Sequence, residues 1–335
     1  MRGALYGTTR LGGVSNSYGT VFSVTTSGSE AVVHVFGAGS DGAYPFAGLT
    51  TSGYGTTNSG GMGNGCNGCG TVYRISSSGN ETVLHSFGKS SVDGSFPLGG
   101  LIGVNGTLYG TTDGGGIYQG TSGGGGTVYS ITSSGSETLL HSFGSGTDGA
   151  SPQGDLLEVN GTLYGTTYSG GTHDVGTVFS ITPSGTETVL YSFKGGPDGS
   201  NPSSGLIKVG GALYGTTAGG GYPANKGTIF KVTLNGTETV LHSFFGGQDG
   251  SSPQYGSLLM VNKVLYGTTS SGGTNNLGTV YSITPSGVYA VVYSFRGGSD
   301  GANPEAGLIN VGGALYGTTN VGGASNDGTV FALTP

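Results

Sequence analysis

Gly205-Leu206-Ile207-Lys208-Val209-Gly210-Gly211-Ala212-Leu213-Tyr214-Gly215-Thr216-Thr217 reads as two apolar segments joined by a Gly-Gly hairpin turn. Gly227-Thr228-Ile229-Phe230 follows, and then Glu238-Thr239-Val240-Leu241-His242-Ser243-Phe244, with Asn235-Gly236 between them as a second hairpin signal. Asp249-Gly250 and Pro253 close the unit. Four strand-sized segments separated by turn residues fit one antiparallel sheet of four meandering strands.

The unit recurs along the chain. Tyr-Gly-Thr-Thr begins at Tyr6, Tyr54, Tyr109, Tyr164, Tyr214, Tyr266 and Tyr316, at spacings of 48, 55, 55, 50, 52 and 50 residues. Gly-Thr-(Val/Ile)-(Phe/Tyr) begins at Gly19, Gly70, Gly126, Gly176, Gly227, Gly278 and Gly328. The third string ends at Phe36, Phe87, Phe143, Phe193, Phe244 and Phe295. An Asp-Gly pair precedes a Pro by four residues at Asp41, Asp93, Asp148, Asp198, Asp249 and Asp300. Repeats of this length with four strands apiece are the pattern of a β-propeller. The expected fold is therefore all-β, with residues 1–335 forming a single β-propeller domain of four-stranded blades and repeats of about 51 residues. Two motifs occur seven times and two occur six times, which makes 26 strands. Seven blades, the first and last each one strand short, are the favoured arrangement. Six blades plus one overhanging hairpin are the alternative, and a flat β-solenoid is the runner-up architecture.

Composition agrees with this reading. Gly accounts for 76 of the 335 residues, a load that suggests disorder by itself, yet 10% of residues are aromatic and only 8% charged. Disordered chains show the opposite balance. Helix is disfavoured, because each Gly costs about 1 kcal/mol there relative to Ala. The net charge of −7, without a basic run, argues against a nucleic-acid partner. No apolar stretch approaches the roughly 20 residues of a membrane span. Little Lys, abundant Ser and Thr, and no Trp suit a secreted or cell-surface protein. Met1-Arg2-Gly3-Ala4-Leu5-Tyr6 enters a strand motif at once, so no signal peptide is read there. In Val83-Leu84-His85-Ser86-Phe87, strict alternation places Val83, His85 and Phe87 on one face and Leu84 on the other.

Taken together, Leu-Tyr-Gly-Thr-Thr, Gly-Thr-Val-Phe, Ser-Gly-x-Glu-Thr-Val-Leu-x-Ser-Phe and Asp-Gly-x-x-Pro resemble the GloVer tandem repeat, a "choice-of-anchor" family of exported bacterial proteins. The resemblance covers essentially the whole chain. It implies export and surface display and supplies no catalytic residues. The chain ends at Thr334-Pro335 without the family's sorting tail.

Candidate functional residues divide between the repeats and the departures from them. Asp41, Asp93, Asp148, Asp198, Asp249 and Asp300 are read as structural turn residues, each bonding its own backbone ahead of a Gly. Calcium at these Asp-Gly turns is the alternative, although one carboxylate per turn is few for such a site. His34, His85, His141 and His242 share one repeat position with Tyr191 and Tyr293, so they are read as hydrogen-bonding strand residues of aromatic size. Glu30, Glu81, Glu137, Glu187 and Glu238 are read as solvated rim residues, since nothing in the spacing pairs two carboxylates. Cys66 and Cys69 are expected to form a local disulfide. The loops after Tyr-Gly-Thr-Thr vary in length and carry Tyr118, His173, Asp174, Tyr222 and Lys226, the ligand-binding candidates. No residue is assigned as catalytic or as a metal ligand, and no cofactor is expected. Phosphate-loop and nucleophile-elbow motifs do not occur in the right context.

The expected function is that of a non-enzymatic extracellular structural or adhesive propeller. It would self-associate into filaments or surface arrays through its incomplete terminal blades. Glycan binding by the variable loops is the alternative. A polysaccharide lyase or hydrolase ranks third, because no acid–base pair is visible in the sequence.

Overall fold

The structure, a computed structural model, describes residues 4–13, 17–63, 68–118, 124–144 and 146–335. Among the described residues, seven antiparallel sheets of three or four strands follow one another along the chain as the blades of a β-propeller, with almost no helix. The first blade has three strands, Leu5–Thr9, Thr20–Val24 and Glu30–Val35. The last also has three, Ile309–Val311, Ala314–Thr319 and Thr329–Leu333. Both ends build sheets of their own, so the alternative of six blades with an overhanging hairpin does not hold. The fifth blade shows the full pattern: Ile207–Val209, Ala212–Thr217, Thr228–Thr233 and Glu238–Ser243, hydrogen-bonded in that order. By its contacts the chain divides into two compact units, Met1–Tyr164 with Ser180–Thr188, and Gly165–Phe179 with Val189–Pro335. No helix among the described residues is long and apolar enough to cross a membrane.

The motifs are packing devices. Gly215 pairs across the sheet with Phe230, whose ring lies over it. A Cβ at Gly215 would stand 2.8 Å from Phe230 Cζ and 2.9 Å from Leu206 Cδ2. Gly227 has a φ of 101°, and a Cβ there would stand 2.7 Å from Pro253 Cδ. The Gly of one motif thus makes room for the Pro of the next. The second Thr of Tyr-Gly-Thr-Thr does comparable work. Thr217 Oγ1 lies 2.8 Å from Thr228 Oγ1, accepts from the Thr228 amide at 3.0 Å and donates to the Gly219 carbonyl at 2.8 Å, with both threonines fully buried.

Successive blades are joined by aromatic edges. Phe36 meets Tyr73, Phe87 meets Tyr129, Phe193 meets Phe230, Phe244 meets Tyr281 and Phe295 meets Phe331, all edge-to-face with centroids 5.0–5.4 Å apart. This is the favourable geometry for ring quadrupoles.

One device breaks the expected alternation. Tyr73 pairs with Val83, but the adjacent Val72 pairs with His85, which leaves Leu84 as the extra residue of a β-bulge. The same irregularity falls at Val21/Phe22, Val128/Tyr129, Ile229/Phe230 and Val280/Tyr281. Paired residues share a face, so Glu81 and Val83 lie on the face of Ile75 and Tyr73, whereas His85 and Phe87 lie on that of Val72. The reading that placed Val83, His85 and Phe87 on one face is corrected: a one-residue insertion turns the strand over half-way along.

Candidate functional site

Turning the strand over gives each repeat two different faces to offer. Its first half carries a Glu toward the preceding repeat, and its second half carries a His toward the following one. The Asp of the Asp-Gly turn comes back to the His. His34, Asp41 and Glu81 meet in this way, as do His85, Asp93 and Glu137, each set having its ligand-type atoms within 4.8 Å of one another. His34 Nε2 lies 3.2 Å from Asp41 Oδ1, and His85 Nε2 lies 3.6 Å from Asp93 Oδ1. His141 Nε2 lies 3.0 Å from Asp148 Oδ2, and Glu187 interacts electrostatically with both. These glutamates are half-buried, so the reading of Glu81, Glu137, Glu187 and Glu238 as solvated rim residues is corrected.

Each Asp also holds its own turn. Asp93 accepts the Lys89 amide at 3.0 Å, Asp148 that of Gly144 at 3.2 Å, and Asp198 that of Lys194 at 2.7 Å. Asp249 and Asp300 accept from Phe245 and Arg296 at 2.8 and 2.7 Å, and Asp41 accepts from Gly37. One turn carboxylate therefore serves the backbone and the inter-repeat contact together.

Crowding carboxyls at these contacts shifts their titration. Burial pushes Glu81 up to about 9, helped by the hydrogen bond and charge of Asp41. Burial also acts on Asp41, but bonds from Glu81 and the Gly37 amide, with the charge of His34, hold it below the usual carboxylate range. Glu137 is raised by burial and by Asp93. Glu187 rises to about 7 through burial and Asp148, against the opposing charge of His141. Acid–base pairs that the spacing concealed are thus assembled between repeats.

Two contacts use tyrosine instead. Tyr191 Oη donates to Asp198 at 2.6 Å, beside Glu238, whose carboxyl burial and Asp198 push up to about 8. Tyr289 replaces the Glu facing His242 and lies flat upon it, while His242 Nε2 is 3.1 Å from Asp249. At the last His-type position, Tyr293 Oη donates to Asp300 at 2.7 Å.

The loop candidates stand on three separate connections between strands. Tyr118 and Tyr222 are 40% and 76% exposed. His173 Nδ1 pairs with the adjacent Thr172 hydroxyl at 2.9 Å, and Asp174 accepts from the Gly170 amide at 3.0 Å, which holds its own turn. Lys226 is exposed, and its carbonyl accepts from the Ser252 amide at 2.9 Å. Cys69 is buried and disulfide-bonded. Cys66, named with it, lies outside the described residues.

A second constellation lies where the segments between Pro and Leu of consecutive repeats converge. A Cβ at Gly99 would stand 2.8 Å from the Gly154 carbonyl, and one at Gly100 would stand 3.4 Å from Ala47 Cβ. Asp155 occupies the place that Gly48, Gly100, Gly205 and Gly307 hold before their Leu. It accepts from the Gly100 amide at 2.5 Å. Asp155 is an exposed residue, yet the segments gathered around it raise its pKa against the effect of the Gly100 bond. Two residues earlier, Gln153 donates to Asp113 at 3.0 Å, and Asp113 too is raised by burial. Arg10, at the repeat position of Asp113, lies over the Phe46 ring at 4.7 Å. Sequence reading passed over these residues. Aligning the repeats position by position reveals them, since a carboxylate stands where glycine is the rule.

The profile of the Gloeobacter/Verrucomicrobia repeat matches residues 1–122 and 116–331. The chain belongs to this repeat family. It matches no curated protein. Among solved structures it is similar to a Bacteroides uniformis protein provisionally assigned as a 6-phosphogluconolactonase, at 14% identity and TM-score 0.58, over 95% of this chain and 90% of that one. It is similar to the periplasmic gluconolactonase of Pseudomonas aeruginosa at 16% identity and TM-score 0.58, over 99% and 96%. A puromycin hydrolase matches at 12% identity and TM-score 0.55, over 98% of this chain and 52% of that one. These likenesses carry the fold. They also overturn the expectation of a non-enzymatic protein. That expectation took a regular repetitive propeller to be a scaffold, and the same architecture is found in proteins named as lactonases.

Proposed function

We propose that the chain is an exported hydrolase of sugar-derived lactones, acting from the convergence of the Pro-to-Leu segments with Asp155 as its general base. The observation that carries this reading is Asp155 itself: a solvent-reached carboxyl with a raised pKa, in a place that four of the other five repeats give to glycine and the fifth to Ser257. Carboxyls with raised pKa values are enriched at functional sites. Ionised, Asp155 would take a proton from the water that attacks the lactone carbonyl. The ring C–O bond then breaks, leaving a hydroxy acid. Asp113, raised and held by Gln153, is the proton donor for the departing ring oxygen. The similarity to a periplasmic gluconolactonase supports the substrate class, and the disulfide at Cys69 supports an oxidising compartment.

The test is release of acid from glucono-1,5-lactone and its 6-phosphate, followed in a pH-stat. The wild-type chain should exceed the buffer rate. Asp155→Asn, with an unchanged circular dichroism spectrum, should lose at least 100-fold, the usual scale for a general base. A wild-type rate equal to buffer on both lactones rejects the reading.

A further inference from the structure

We propose that His85 Nε2, Asp93 Oδ1 and a carboxylate oxygen of Glu137 form a divalent transition-metal site of the zinc class, set between the second and third blades. The three residues present their donor atoms within 4.8 Å of one another. The His85 and Asp93 side chains are only 10% and 6% exposed, and both Nε2 and Oδ1 are buried without a hydrogen-bond partner. Buried polar atoms normally find one. Their separation of 3.6 Å is too long for a hydrogen bond between them. It is close to the spacing of ~3.4 Å between two ligands of a tetrahedral zinc held at about 2.1 Å.

The surroundings orient these groups as a metal site requires. The second oxygen of Asp93 is pinned by the Lys89 amide at 3.0 Å, which aims Oδ1 at His85. The His85 ring packs edge-to-face on Phe87 with centroids 4.8 Å apart. Two carboxylates and an imidazole suit zinc-class ions. Calcium prefers six to eight oxygen ligands. Three protein ligands leave a fourth position for water.

The equivalent contacts explain why this one is singled out. His141 and Asp148 have closed to a hydrogen bond at 3.0 Å, and His34 and Asp41 stand at 3.2 Å with side chains more open to solvent, at 16% and 27% exposed. Elsewhere the chain replaces a ligand with tyrosine, at Tyr191 for the His and at Tyr289 for the Glu. Those replacements supply variants that the fold accommodates, namely His85→Tyr and Glu137→Tyr.

The experiment is zinc titration of chelator-stripped full chain by calorimetry, with metal content read after dialysis. The wild type should retain one zinc per chain. His85→Tyr and Glu137→Tyr should each weaken binding at least tenfold, while His141→Tyr and His173→Ala bind as the wild type does. Absence of zinc uptake by the wild type overturns the proposal. So does uptake unchanged in His85→Tyr, or lost in His173→Ala, which would place the ion on the surface. If the tyrosine variants do not fold, cobalt substitution of the wild type decides: intense visible bands of a tetrahedral site support the proposal, and their absence rejects it.

Discussion

The ring of Tyr289 lies flat on His242, with centroids 3.8 Å apart and planes within 4° of parallel. Its hydroxyl passes beyond the imidazole to donate to the Asp249 carbonyl at 2.5 Å. One residue thus closes an inter-repeat contact by stacking, where four of the other repeats begin the strand with an inward-facing Glu. Tyr289→Phe should cost about 0.5–1.5 kcal/mol, the net worth of one hydrogen bond. Tyr289→Ala should cost about 3 kcal/mol, because it also removes the ring. Urea unfolding of the three proteins measures both.

Glu238 sets a pH dependence. Its folded pKa of about 8 lies above the ordinary value of 4.5, so folding takes up a proton between these limits. The stability it contributes is full below pH 4.5, is lost as pH rises to about 8, and is flat above. Glu238→Gln cannot titrate. Its melting temperature should overtake that of the wild type by a few degrees between pH 5 and 9. Parallel curves for the two proteins would contradict the assignment.

Gly215→Ala adds a methyl group that must stand 2.8 Å from the Phe230 ring. Overpacking of this kind costs about 1–3 kcal/mol. Phe230→Leu in the same chain should recover part of the loss, because the atoms it removes are those in collision. A thermal melt of the single and double variants decides it.

Thr217→Val leaves the Thr228 amide and hydroxyl in the buried interior without their shared partner. About 1–3 kcal/mol should be lost, the cost of unsatisfied buried polar groups. Ser at the same position keeps the hydroxyl and should lose less. Hydrogen exchange at the Thr228 amide should quicken in the valine variant and remain slow in the serine one.

The blade count could be read from the chain because its determinants are local: Gly215 under Phe230 and Gly227 under Pro253 each tie one motif to the next at fixed spacing. The inter-repeat contacts were hidden by Leu84. Period-two reasoning assumes an unbroken ladder, and one unpaired residue reverses the faces on either side of it. Glu81 and His85 then seem to point the same way, although they serve different neighbours. Asp155 was missed for another reason. Its departure from the repeat is a single letter inside a short regular segment, far less conspicuous than the long variable loops.

The position before Leu156 has an evolutionary meaning as well. The contacts that hold a blade together, Gly to aromatic ring and Thr to Thr, do not involve it. A duplicated unit can therefore mutate there, as it has at Asp155 and Ser257, while the other repeats keep glycine and the architecture stays intact. Chains built in this way carry several equivalent addresses at which new chemistry can be tried one copy at a time.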